Sequence, residues 1–404
     1  MKKLKYYIIP IITGFLCMTL LCYILDKYNN KLISEKNISK ILYNSDSMIK
    51  NKGYFLNNYL SKKGYIMMFG SSELSHSTIH HPDYYFNRGN TKDGIVTIGK
   101  AYTQNLQHAI SLGSLEKSKG KKVVLLLSMQ WFMDENGVTN RHFQGRFSPE
   151  QFYKFMNNEN VSDKTKIKAA KRISGLLEGN EEYLGEYIYS KKISEDSNFK
   201  TIYSVFQPYF IFRQNMVDLK DKGVLYKELN IVDNNINNQK IKRYSWKKEK
   251  KNALFNALKR VGNKPHMLGG KRLYIDKGYY KKNLRGRDKK FRGLYKNVNL
   301  NKSKEYEDLE VFLSVCKDMD IKPVIVMMPV MDDFYEFTGL NINKRNIYYN
   351  NIRNLTKKYD TKLLDLTSHD NDRYYLRDVM HIGNVGWVDI SERIYNIYSE
   401  QKNN

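Results

Sequence analysis

Short apolar runs alternate with segments of helical period along most of this chain. Residues 65–69, 94–98, 122–127, 324–328 and 362–366 are such runs, and three of them end at Gly70, Gly99 and just before Pro329. Continuous apolar strands separated by helices predict a parallel sheet covered on both faces. Leu309, Phe312, Leu313 and Cys316 follow an i, i+3, i+4, i+7 spacing, and Trp387, Ile390, Ile394 and Ile397 keep a helical spacing near the end. Both predict amphipathic helices. Ser148-Pro149-Glu150-Gln151 reads as a helix start, with Ser at the N-cap, Pro at the first helical position and Gln at the third. It opens a stretch to about residue 300 without convincing strands, predicted to be a mainly helical insertion at 148–300 in an α/β domain of residues 61–404.

The first thirty residues follow another pattern. Lys2, Lys3 and Lys5 precede 20 uncharged residues, 6–25. As a helix this run would be about 30 Å long, the thickness of a bilayer core. Residues 1–26 are therefore expected to be a membrane anchor with a cytoplasmic N-terminus, leaving the main domain outside. No A-x-A-like site follows for signal-peptide cleavage. Residues 27–60, polar and rich in Asn, Lys and Tyr, read as a stalk.

Charge narrows the partners. The 404 residues carry 68 Lys+Arg against 42 Asp+Glu, a net +26. Such an excess implies a polyanion or an acidic membrane surface, and an extracytoplasmic domain points to the envelope, not to nucleic acid. Residues 241–296 hold 20 Lys/Arg against Glu249, Asp276 and Asp288, interleaved with aromatics. Lys247, Lys248, Lys281, Lys282, Arg285, Arg287, Lys289, Lys290 and Arg292 are the candidate polyanion-binding residues. The three cysteines fall in no metal-ligand spacing, and no HExxH, P-loop or GxSxG occurs. No metal or cofactor is expected, and neither an NTPase nor an ordinary α/β-hydrolase is supported.

Two short motifs could carry chemistry. Phe69-Gly70-Ser71-Ser72-Glu73-Leu74 runs from a strand into a helix start, where ligands of open α/β sheets bind and unpaired N–H groups stabilise an oxyanion. Asp378-Val379-Met380-His381 places a carboxylate and an imidazole three residues apart, so that Asp can orient His. Together they offer a nucleophile, a base and a base-orienter, as acyl transfer requires. His76, His80, His81 and Asp83 form a local cluster better suited to capping than to metal binding.

A basic anchor, FGSSEL after the first strand, LSMQWF after the third and DVMHIGNVGW near the end resemble the DltD family, across essentially the whole chain. That family in turn is similar to the SGNH hydrolases. The resemblance implies a flavodoxin-like α/β/α sandwich with Ser72 as nucleophile and Asp378 and His381 completing the triad. Ser71, where that superfamily has Asp, is the alternative nucleophile. Gly99 and Gln130 fall at the oxyanion positions. The resemblance further implies extracytoplasmic transfer of D-alanyl groups to lipoteichoic acid, a polyglycerol phosphate. It brings with it a D-alanyl carrier and a membrane acyltransferase as partners. An esterase or thioesterase using the same residues, and a non-catalytic scaffold, are the alternatives.

Overall fold

A computed structural model describes residues 2–33, 35–75, 78–87, 94–117, 120–194, 196–230 and 245–400; the side chains of 2–5, 7, 8, 11, 35–37, 399 and 400 lie outside the described set. Among the described residues seven strands are formed: β1 (Ile66–Phe69), β2 (Ile95–Ile98), β3 (Val123–Leu127), β4 (His266–Leu268), β5 (Lys271–Leu273), β6 (Val324–Met327) and β7 (Lys362–Asp365). Five make one sheet in the order β2-β1-β3-β6-β7, every pair parallel. Counting only these five, the order is 2-1-3-4-5, a doubly wound arrangement whose switch point lies between β1 and β3.

The inner strands β1, β3 and β6 are apolar throughout because both of their faces are buried, whereas the edge strand β7 is only half-buried and carries Lys362 and Asp365. Met67, Phe69, Val96, Ile98, Leu125 and Met327 enter one core. Their neighbours Ile66, Met68, Ile95, Val124, Leu126 and Val326 enter the other. The helices Asn105–Gly113 and Lys304–Asp318 cover the first face, with Leu309, Phe312, Leu313 and Cys316 fully buried. The helix Asn384–Glu400 covers the second, through Trp387, Ile390 and Ile394.

Much of the segment 27–60, expected as a stalk, packs against the sheet. The helices Glu35–Leu42, Met48–Lys52 and Phe55–Lys62 bury Ile38, Ile41, Leu42, Ile49, Leu56 and Leu60 in the same core as the sheet. These few apolar residues recur at helical spacing inside a polar composition, which hid their amphipathic face.

Between β3 and β6 the chain is largely helical. Ser148 caps the helix Pro149–Met156 by accepting the Gln151 N–H at 3.3 Å, with Pro149 in the first turn. The hairpin β4–β5 also lies here, and no apolar run announced it. Each strand has three residues, Leu268 and Leu273 alone are buried, and Gly269 and Gly270 make the turn at positive φ.

At the N-terminus the helix Lys2–Leu32 packs along the helix Gln207–Asn230, with Phe15 against Phe212 and Lys222 paired to Asp26 at 2.8 Å. Ile9, Ile12, Leu16 and Leu20 are exposed on it. Part of the expected span at 6–25 lies outside the described side chains. Among the described residues no helix is long and apolar enough to cross a membrane, so the fold does not establish the expected span.

Candidate active site

The site forms at the carboxyl ends of β1, β3 and β7. Leaving β1, the chain turns at Gly70, where a Cβ would sit 2.6 Å from Glu73 Oε1 and 2.9 Å from Leu74. Ser72 opens the 3-10 turn Ser72–Ser75. Its hydroxyl lies 2.8 Å from His381 Nε2. Ser71 points elsewhere: it is buried, and its hydroxyl donates to the Lys100 carbonyl at 3.1 Å. Glu73 folds back on the turn and accepts the Ser71 N–H at 2.6 Å. Burial raises the pKa of its carboxyl.

His381 comes from a tight loop after β7. Leu376 bridges to Ile382, and the Arg377 N–H donates to the His381 carbonyl at 2.9 Å. Gly383 and Gly386 let the following helix approach this loop, since a Cβ at either would lie 3.0 or 2.8 Å from the Tyr375 carbonyl oxygen. The loop presents Asp378 and His381 together. Asp378, 3% exposed, accepts the backbone N–H groups of Met380 and His381 at 3.0 and 2.9 Å. His381 Nδ1 lies 3.0 and 2.9 Å from its two oxygens. Burial alone would raise the Asp378 pKa, but the imidazole and these two N–H groups outweigh it and hold the carboxyl below its ordinary range. An ionised carboxylate only accepts, so Nδ1 carries the ring hydrogen and Nε2, facing Ser72, is the nitrogen that can take its proton.

The two expected oxyanion groups have partners. The Gly99 N–H donates to Asn51 Oδ1 at 2.9 Å. Gly99 also lies against the Gly70 carbonyl at φ +148°, where a Cβ would overlap that oxygen. Gln130 Nε2 donates to the Tyr335 hydroxyl at 2.8 Å, leaving its second N–H to spend.

The insertion reaches the same place. A cavity of about 460 Å³ is lined by Asp378 and His381 on one side and by Arg260, Asp276, Tyr279 and Lys282 on the other. The Asp276 N–H donates to the Arg377 carbonyl at 2.8 Å and docks the insertion on the His381 loop. Lys247, Lys248, Lys281, Arg285, Arg287, Lys289, Lys290 and Arg292 are exposed and do not line the cavity. His76 lies outside the described residues. His80 meets Tyr85 and His81 meets Asp83, and among the described residues no group of His, Cys, Asp and Glu could hold a metal ion.

Sequence reasoning missed Glu73, Asn51, Arg260, Asp276 and Arg377. Each acts through a contact that only folding creates, and the two inside the basic stretch, Arg260 and Asp276, were submerged in its charge count.

A model of the DltD protein family matches residues 43–399. Protein DltD of Bacillus subtilis (strain 168) is 26% identical over 399 residues, 98% of each chain. Protein DltD of Staphylococcus aureus (strain NCTC 8325 / PS 47) is 27% identical over 342 residues, 83% of this chain and 81% of that one. Protein DltD of Lacticaseibacillus rhamnosus is 25% identical over 352 residues, 85% and 79% respectively. With so much of the chain matched, from the first packed helices to the helix behind the His381 loop, it belongs to the DltD family.

Proposed function

We propose that this protein transfers D-alanyl groups to lipoteichoic acid at the outer face of the membrane, through an ester on Ser72. The observation that carries the reading is the continuous hydrogen-bond chain from Ser72 Oγ through His381 to Asp378. Family membership supports the pathway, and the uncharged run at 6–25 behind three lysines supports membrane anchoring.

In the first step Ser72 Oγ attacks the carbonyl of an activated D-alanyl donor while His381 Nε2 takes the hydroxyl proton. The bond to the leaving group breaks, and His381 returns the proton to that group. In the second step an acceptor hydroxyl attacks the Ser72 ester. Its proton passes to His381 and then to Ser72 Oγ as the serine–acyl bond breaks. Asp378 holds the ring tautomer and stabilises the imidazolium. The Ser72 N–H and the second N–H of Gln130 serve the oxyanion. Gly99 contributes close packing in place of its N–H, which Asn51 holds. Losing one oxyanion donor costs about 3–4 kcal/mol of transition-state stabilisation.

The test is ester-linked D-alanine on lipoteichoic acid in cells whose only copy is Ser72→Ala, Ser71→Ala or His381→Ala at matched expression. The expected result is loss with Ser72→Ala and His381→Ala and retention with Ser71→Ala. Normal D-alanine in all three would leave the triad unused and favour a binding scaffold.

A further inference from the structure

We infer that the cavity beside His381 is a phosphodiester subsite, in which Arg260 and Arg377 hold a phosphate of the acceptor chain next to the acylated serine. For its part in the reaction this rests on the transferase reading above; the binding itself does not.

Two guanidinium groups share one carboxylate oxygen here. Arg260 Nη2 lies 2.6 Å and Arg377 Nη2 3.4 Å from Asp276 Oδ2. One carboxylate neutralises one cation, so the pair retains a positive charge. Neither side chain lies out on the open surface, at 35% exposed for Arg260 and 21% for Arg377. Burial and then the charge of Arg260 lower the pKa of Arg377, as expected where two cations are held together. Each guanidinium has five N–H donors. Beyond Asp276, Arg260 spends one on Asn384 Oδ1 at 3.5 Å. The remaining donors form a planar fork suited to phosphate oxygens.

The other lining groups agree. Lys282 brings a third cation to the rim, and Asn283 and Tyr279 bring polar atoms. The opposing charges are Asp276 and Asp378, and Asp378 is already committed to His381 and two backbone N–H groups. Three cations against two carboxylates favour a monoanion such as a phosphodiester. When His381 takes a proton in either step, the charge the anion faces rises by one, so a phosphate seated here favours that step.

An acceptor with a phosphodiester and a free hydroxyl close together along its backbone would anchor the first on the arginines and present the second to the Ser72 ester. The subsite thus selects a polyol phosphate over a neutral alcohol.

The same anion could instead belong to the acyl donor, and the experiment separates the two. Binding of glycerophosphoglycerol, with diglycerol as neutral control, is measured by calorimetry on the full-length protein in detergent. Ser72→Ala should retain binding. Arg260→Gln and Arg377→Gln should each weaken it about tenfold or more, the worth of a charge-assisted hydrogen bond. Lys282→Gln, on an exposed side chain outside the Asp276 cluster, should weaken it about two- to threefold. In turnover, the arginine variants should lower the kcat/KM ratio of glycerophosphoglycerol over glycerol by a similar factor. Unchanged glycerophosphoglycerol binding in both arginine variants would overturn the proposal, as would equal losses for diglycerol. Slower acylation of Ser72 with acceptor binding intact would also overturn it, by assigning the anion to the donor. Failure of the serine mechanism would show separately, as turnover insensitive to Ser72→Ala.

Discussion

Asp378 accepts hydrogen bonds from the imidazole and from two backbone N–H groups while almost wholly buried. That environment keeps it ionised and fixes the ring so that Nε2 faces Ser72. Asp378→Asn should keep the fold, because an amide oxygen can still accept the backbone N–H groups. It should lower kcat by about 10³–10⁴ with little change in KM, since the wrong ring tautomer would face the serine. Steady-state kinetics with a D-alanyl thioester, with circular dichroism to check folding, measure this. The residues of the proposed triad were legible because each motif is local: Gly-Ser-Ser at a strand end, and Asp three residues before His. The choice between Ser71 and Ser72 was not legible, since it depends on which hydroxyl the Lys100 carbonyl takes, 29 residues away.

Gly99 works through the elements on either side of it. It ends β2 where that strand presses on the turn leaving β1, and no side chain fits between its backbone and the Gly70 carbonyl. Gly99→Ala should therefore shift the Ser72 turn itself. The expected cost is about 2 kcal/mol or more of stability, from the positive φ and the displaced carbonyl. The denaturation midpoint should fall, and activity should fall further than the folded fraction does. The inner strands β1, β3 and β6 were readable because burial on both faces makes them uninterrupted apolar runs; β2, with Thr97, and the half-buried β7 keep shorter ones. The hairpin β4–β5 was not, since three-residue strands with one buried residue each leave no periodicity. The helices within 35–62 read as polar because Asn and Lys dominate their composition, while their few apolar positions carry the packing.

Across the whole molecule, the insertion carries the basic charge and is tied to the His381 loop at Asp276. The sequence showed an excess of lysine and arginine but not which cations meet at the chemistry. Arg260 and Arg377 are 117 positions apart and come together only because the insertion folds back over the carboxyl edge of the sheet. The central claim is that Ser72 carries the acyl group. It is tested most directly by incubating the purified protein with a D-alanyl thioester of a small thiol, without acceptor, and reading the intact mass. One D-alanyl adduct, mapped to Ser72, absent from Ser72→Ala and His381→Ala and present in Ser71→Ala, is the predicted result. A protein that stays unmodified at every donor concentration, or an adduct on Ser71, would contradict the account.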